Sequence, residues 1–358
     1  MRKKAISMIL AAALGSALLA GCSSAPKETT AAATTAETTA EEKKEESKAE
    51  ETKAEEKKEE AAGNDMLSGE TGDIAKAGDG KGQKVVLITI DSMDQHWVNM
   101  DKGCKQAAEE LGCDYKWIAP DVKDDAKQIE CVNNAVAGGY DAIMVAANGP
   151  DAISSALQEA KDQGIKIVYV DSPANVEAEA TFSTDNKAAG TTAGEEMKKA
   201  LEDAGITSGK IGVINVNAAT DSCVNREEGF RAAFDGTDFE IMETQYGEGD
   251  AAKSQSIAEN YITQGVVGIF GCNEGSTTGA GNAIKAAGNA DIIGVGFDKS
   301  DAILNLIDDG YLLCTMAQNP DVMGSEGVKA AVKAINGEEL GGEVTDTGVS
   351  VITKDSDK

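Results

Sequence analysis

Three observations predict an α/β chain of two doubly wound parallel-sheet lobes joined by a multi-crossing hinge. Short β-rich runs recur along residues 84–358, and most are continuously apolar rather than alternating, the pattern of strands buried on both faces. Amphipathic stretches separate them, so strand and helix alternate as βαβ units. About eight such units exceed one comfortable core, and no Pro/Gly/Ser linker cuts the span, which points to lobes joined by short, repeated crossings.

In chain order, strands are read at 85–90, 115–118, 142–147, 167–170, 211–216, 239–244, 267–270 and 292–295. Helices are read near 97–111, 124–138, 151–163, 187–204, 224–234, 251–264, 274–287, 299–308 and 321–336. The first helix sets Val98, Cys104, Ala108 and Leu111 on one side, the stripe of an element with one buried face. Pro120, Pro150, Pro173 and Pro320 follow strands, where a rigid turn removes no ladder bond.

Two segments precede this body. Residues 1–22 read as an export signal: Arg2, Lys3 and Lys4, then an apolar run too short and too small in side chain to span a membrane stably. It ends in Leu19-Ala20-Gly21-Cys22. Residues 23–83 are Ala, Thr, Glu, Lys and Ser without an aromatic, so they cannot bury enough apolar area to offset chain entropy and read as a disordered acidic tether.

Composition narrows the function. A single His excludes sites that need two imidazoles, such as multi-His zinc centres. The net charge of −29, without clustered Lys and Arg, argues against nucleic acid and favours a neutral or cationic small ligand. No cofactor or metal is called for.

Polar residues gather at strand ends: Asp91 and Asp94, Asn148, Asp171-Ser172, Asn273-Glu274 and Asp298. In open parallel sheets that is where ligands bind. Any one of them alone reads as readily as a helix N-cap, and Asn148 and Asp151 are read as caps or turn formers. Several together mark a cleft.

These residues carry a resemblance. The body resembles, over nearly all of 84–358, the periplasmic-binding-protein type 1 family of sugar-binding ABC-transporter components, of which ribose- and galactose-binding proteins are the best known. The matching stretches are Asp94-Gln95-His96-Trp97, Val170-Asp171-Ser172, Ser183-Thr184-Asp185-Asn186, Arg226-Glu227-Glu228-Gly229-Phe230, Cys272-Asn273-Glu274, Gly294-Val295-Gly296-Phe297-Asp298 and Ala317-Gln318-Asn319-Pro320. The resemblance implies lobes of 84–184 with 319–345, and 185–318 with 346–354, closing on a ligand between them. It implies ligand contacts from Asp94, His96, Asp171, Ser172, Arg226, Asn273, Asp298 and Gln318, with Trp97 as a stacking platform. Leu19-Ala20-Gly21-Cys22 resembles the lipobox of bacterial lipoproteins, which implies lipid on Cys22 and anchorage to the outer face of the cell membrane.

Such a residue set suits a sugar. Carboxylates accept hydroxyl protons, a planar Arg donates two N–H bonds to neighbouring hydroxyls, and an aromatic face packs on the ring. Three departures from the ribose pattern stand out: His96 replaces a second aromatic, Ser172 replaces an Arg, and Glu248-Gly249-Asp250 replaces an aromatic after the 239–244 strand. The pocket is therefore read as more acidic and less aromatic than a ribose site, suited to a sugar, polyol or amino sugar.

Sharper alternatives are weaker. His96 has no Ser or Cys partner at a recognisable spacing, so a catalytic base is not expected, and an extracellular α/β enzyme is the least favoured class. Gly279-Ala280-Gly281 lies inside a predicted helix and reads as a close helix contact. Beyond Cys22, Cys104, Cys113, Cys131, Cys223, Cys272 and Cys314 fall partly in apolar patterns and are read as mostly free thiols. The leading expectation is a monomeric, membrane-tethered solute-binding subunit that serves ABC permease subunits. The alternative is a ligand-sensing receptor subunit, for an autoinducer for example, feeding a kinase or chemoreceptor.

Overall fold

The computed structural model describes residues 79–357. The export signal, Cys22 and all but residues 79–83 of the expected tether lie outside the described residues. Residues 79–83 are packed on the body: Gly80 N donates to Leu111 O at 3.0 Å and Gln83 Nε2 to Asn336 Oδ1 at 2.7 Å.

The strands are β1 Lys84–Ile88, β2 Asp114–Ile118, β3 Ala142–Val145, β4 Lys166–Val170, β5 Ala180–Ser183, β6 Ser208–Asn215, β7 Asp238–Ile241, β8 Gln245–Tyr246, β9 Val266–Gly271, β10 Ile293–Phe297, β11 Cys314–Gln318, β12 Glu343–Asp346 and β13 Val349–Thr353. The helices are α1 Gln95–Leu111, α2 Asp125–Ala137, α3 Pro150–Asp162, α4 Asn186–Asp203, α5 Asp221–Ala232, α6 Ala251–Thr263, α7 Glu274–Ala287, α8 Asp301–Asp308 and α9 Pro320–Ile335. One sheet runs β12-β5-β4-β3-β1-β2 and the other β13-β11-β10-β9-β6-β7. The first is parallel throughout; in the second, β13 alone is antiparallel to its neighbour.

Each sheet is buried on both faces, which is why its central strands read as unbroken apolar runs. Val85, Leu87, Met144 and Val168 face one core of the first lobe, while Val86, Ile88, Ile143 and Ile167 face the other. Val213, Phe270 and Val295 occupy one core of the second lobe, and Ile214 and Ile269 the other.

The first helix corrects the expected stripe. Trp97, Met100, Cys104, Ala107, Ala108 and Leu111 are buried, whereas Val98 is 42% exposed. At 100° per residue the i, i+3, i+4 ridge that starts at Trp97 leaves Val98 one step round the helix. Strands β5, β8, β11, β12 and β13 were not among the runs read from the sequence. In β5 and β11 polar residues are buried because they serve backbone groups at strand ends: Ser183 Oγ donates to Asp171 O, and Thr315 Oγ1 to Asp298 O at 2.8 Å; β12 is exposed along its length. Gly279 is a close helix contact, since a Cβ there would lie 2.5 Å from Ser254 Cβ of α6. All six cysteines of the described part are free.

The chain passes between the sheets at Thr184-Asp185, at Asn319 and at Thr347-Gly348. These crossings bond to one another. Thr184 Oγ1 donates to Gln318 Oε1 at 2.9 Å, Thr347 N to Ser183 O at 2.7 Å, and Asn319 Nδ2 to Thr347 O at 2.8 Å.

Candidate functional site

The carboxyl ends of the strands from both lobes face one buried cavity of about 30 Å³, about the room of one water, so any larger guest parts these walls as it enters. Eight of the nine residues expected to bind ligand line it: Asp94, His96, Trp97, Asp171, Arg226, Asn273, Asp298 and Gln318. The ninth, Ser172, lies behind the wall, where its Oγ accepts from Ser222 N at 3.4 Å. A wider groove of about 770 Å³ opens beyond His96, Asp298 and Gln318, which line both spaces. The smaller cavity is the candidate site because it gathers buried charges of both signs, the arrangement that fixes a polar ligand.

Backbone geometry singles out two of the carboxylates. Asp171 and Asp298 follow β4 and β10, the matching positions of the two lobes, and both have positive φ, 61° and 74°. Left-handed backbone is uncommon outside glycine and collects at functional sites. Here it is held by Asp171 N donating to Phe182 O and Asp298 N to Met316 O, each at 2.9 Å. The strained turn directs a carboxylate into the cleft from either side.

His96 lies between these two carboxylates, with Nε2 3.3 Å from Asp171 Oδ1 and Nδ1 3.5 Å from Asp298 Oδ1. Burial alone would lower its pKa, but the hydrogen bonds and charges of Asp171 and Asp298 raise it to about 10, so the imidazole is cationic at neutral pH. Burial alone would likewise raise Asp298; hydrogen bonding and charge from His96, with the Arg226 charge, hold it at about 2.

Arg226 is 2% exposed and held by its surroundings. Its Nε donates to Asn186 Oδ1 at 2.8 Å and Nη1 to Cys272 O at 3.1 Å, and the guanidinium lies over the Phe297 ring at 4.4 Å. Its Nη2 lies 3.6 Å from Asp171 Oδ1, the same oxygen that His96 Nε2 faces at 3.3 Å, so both donors have only this one carboxylate oxygen to share. Two buried donors thus converge on one place with hydrogen-bonding capacity left over, a costly arrangement unless an acceptor is supplied.

Other expected residues divide between ligand wall and scaffold. Asn273 caps α7, its Oδ1 accepting from Ser276 N at 3.1 Å. Gln318 Nε2 donates to Asp298 Oδ1 at 2.6 Å. Trp97 Nε1 donates to Asp91 Oδ2 at 3.3 Å, and its ring stands edge-on to His96 with centroids 4.7 Å apart. Asp94 precedes α1 without capping it and instead accepts from Lys123 Nζ at 3.1 Å. Burial, opposed by Lys123 and reinforced by Asp91, raises Asp94 to about 6.

Lys123 is the main residue the sequence did not disclose. It reaches the cavity from the β2–α2 loop and pairs with Asp91 and Asp94. It adds a cation to the wall, where Asp94, Asp171 and Asp298 face Lys123, Arg226 and cationic His96; with buried Asp91 also paired to Lys123, the carboxylates still outnumber the cations. The departure at Glu248-Gly249-Asp250 has a steric reason. A Cβ on Gly249, whose φ is +69°, would lie 2.5 Å from Lys123 Cε, so this loop leaves room for the lysine stem instead of supplying a ring.

Asn148 does not cap α3, which has Gly149 at its N-cap and Pro150 in its first turn, but lies in the bend that leads into it. Asn148 instead joins the lobes: its O accepts from Thr220 Oγ1 at 2.7 Å and its Oδ1 from Asn217 Nδ2 at 3.3 Å. Asp151 does not cap α3 either; its Oδ1 accepts from Asn175 Nδ2 at 2.5 Å.

Residues 85–339 match the periplasmic binding protein domain. The chain belongs to the type 1 periplasmic binding protein family. This binding protein is 27% identical over 272 residues to the ribose import binding protein of Haemophilus influenzae, covering 75% of this chain and 91% of that one. Among solved structures it is similar to an ABC transporter solute-binding protein from Agrobacterium vitis with bound D-fucose, at 31% identity and TM-score 0.71, covering 76% and 95% of the two chains. It is also similar to one from the same organism bound with α-D-tagatopyranose, at 25% identity and TM-score 0.72, covering 76% and 95%. The relatives of this binding protein are sugar-transport proteins rather than enzymes.

Proposed function

We propose that this chain is the solute-receiving subunit of an ABC importer and grips a neutral sugar between its lobes by hinge closure. The observation that carries the reading is the convergence of Asp94, Asp171, Arg226, Asn273, Asp298 and Gln318 from both lobes on one cavity where His96 Nε2 and Arg226 Nη2 share the single acceptor Asp171 Oδ1. Hydroxyl oxygens supply acceptors while hydroxyl protons go to the carboxylates. The similar solute-binding proteins hold uncharged sugars, D-fucose and α-D-tagatopyranose, which favours a neutral guest over an amino sugar.

A ligand that bridges the lobes stabilises the closed form by what it touches only there. The crossings at 184–185, 319 and 347–348 provide the hinge. The lipobox at Leu19-Ala20-Gly21-Cys22 places the protein on the outer face of the cell membrane through lipid on Cys22, with 23–78 as its tether. It works there as a monomer beside its permease.

The test is a thermal-shift and calorimetric screen with D-ribose, D-allose, D-fucose, D-arabinose and D-tagatose, plus polyols and glucosamine. A sugar at 100 times its dissociation constant adds about 2.7 kcal/mol to native stability. A positive response to glucosamine alone would overturn the neutral-sugar reading, and no response to any of them would overturn sugar binding. Radiolabelled palmitate incorporated by the wild type and lost in Cys22→Ala checks the anchor.

A further inference from the structure

Helix α1 starts beside the cavity without a cap from its own lobe. Asp94, at the N-cap position, makes no side-chain cap bond because its carboxylate is drawn to Lys123, and the first turn holds no acidic residue. The backbone N–H groups at such an end need outside acceptors. Glu274 supplies them from the other lobe: its Oε2 accepts from His96 N at 3.2 Å, 178 residues away in sequence, and its carboxylate also bonds Gln95 N. Glu274 opens α7 on the second lobe and does not line the ligand cavity.

We propose that Glu274 is a closure latch: it caps α1 across the cleft only when the lobes meet, and so sets affinity without touching the sugar. The proposal rests on the reading of this site as a hinge-closing sugar receptor. The groups that face Glu274 are Asp94 and His96 from the start of α1 and Asp298 from the end of β10. Burial, then repulsion from Asp94 and Asp298, raises its carboxyl from 4.5 to about 7, against the pull of the Gln95 and His96 N–H groups. The latch therefore works best with a neutral acceptor oxygen, and its charge opposes closure in alkaline solution.

Two variants separate these effects. Glu274→Ala removes the acceptor and is expected to weaken every bound sugar about fivefold, by the same factor for each, as for loss of a helix cap. Glu274→Gln keeps an acceptor and removes the charge; it is expected to bind within about twofold of wild type at pH 6 and more tightly than wild type at pH 8. Hydrogen–deuterium exchange on the full-length chain, with and without a saturating sugar, reads the cap directly, because the latch should protect 95–97 only when sugar has closed the lobes. Amides of 95–97 should exchange faster in Glu274→Ala than in wild type, with the β1 and β4 amides unchanged.

Equal exchange at 95–97 in sugar-saturated wild type and Glu274→Ala overturns the latch while leaving sugar binding intact. So does a Glu274→Ala affinity equal to wild type, or a loss confined to one sugar, which would make Glu274 a direct contact. Failure of the wild type to bind any sugar would overturn both the functional reading and the latch that rests on it, an outcome distinct from equal exchange in two sugar-bound proteins.

Discussion

Arg226 offers the most demanding test of the site. The perturbation is a pair of substitutions, Arg226→Met and Arg226→Lys. Methionine keeps much of the volume over Phe297 but leaves Asn186 Oδ1 and Cys272 O without their donor, and removes one of the two cations beside Asp171. Part of that loss is structural and appears as a lower melting temperature. The binding part is the bond from Nη2 to the guest, a hydrogen bond from a charged donor, about 2–3 kcal/mol or about 30- to 150-fold in Kd. Lysine keeps the charge but not the planar fork, so a loss of about 1–2 kcal/mol is expected. Isothermal titration calorimetry at pH 7 with a sugar the wild type binds measures both, and melting curves confirm that each variant is folded. Folded variants that both bind within threefold of wild type would refute the reasoning, because Arg226 would then only support the fold.

Closing on ligand should take up protons. His96, Glu274 and Asp94 are raised to about 10, 7 and 6 in the closed form, and each returns toward its ordinary value as water enters the open cleft. A raised group contributes stability that is complete below its ordinary pKa and is lost as pH climbs through the raised one. Binding should therefore weaken from pH 6 to pH 9, with proton uptake visible as a buffer-dependent heat; proton release would contradict it. Asp298 works in the opposite sense, so its contribution should hold above pH 4 and fade toward about 2. Lys123→Met should weaken binding at least tenfold, about 1.4 kcal/mol, by leaving Asp91 and Asp94 unpaired in the closed cleft; calorimetry with wild-type affinity would show that Lys123 is dispensable. Cys104, Cys223, Cys272 and Cys314 are buried, with thiols raised by burial, so a thiol reagent should modify Cys113 and Cys131 first and reach these four only on unfolding. Fast native labelling of Cys272 would argue against the packed second lobe.

Much of the architecture was legible because burial on both faces leaves its mark on composition: the runs at β1, β3, β4, β6 and β9 and all nine helices of the described part stand out by period and polarity. Of the strands that escaped, β5, β11 and β12 hold Thr, Ser, Gln, Glu and Asp, β8 is two residues long, and β13 is an edge strand. In β5 and β11 these residues are buried only because the strands lie beside the crossings and serve the turns at Asp171 and Asp298. Eight of the nine residues implied by the family resemblance line one cavity, because the resemblance follows their order along the chain at the strand ends. Lys123 was not, since a lysine in Val122-Lys123-Asp124 looks like any solvated loop residue until β2 carries that loop over Asp91 and Asp94.

What the sequence determined by itself is local: the apolar runs that become strands, the amphipathic stretches that become helices, and the polar residues placed where strands end. Tertiary structure alone decided which charges meet. Whether His96 is a neutral contact or a cation between Asp171 and Asp298, and whether α1 is capped by Asp94 or from 178 residues away by Glu274, depends on distances across the cleft. Electrostatic energies vary with separation and with the water excluded around them, and neither quantity is written in the order of residues along the chain.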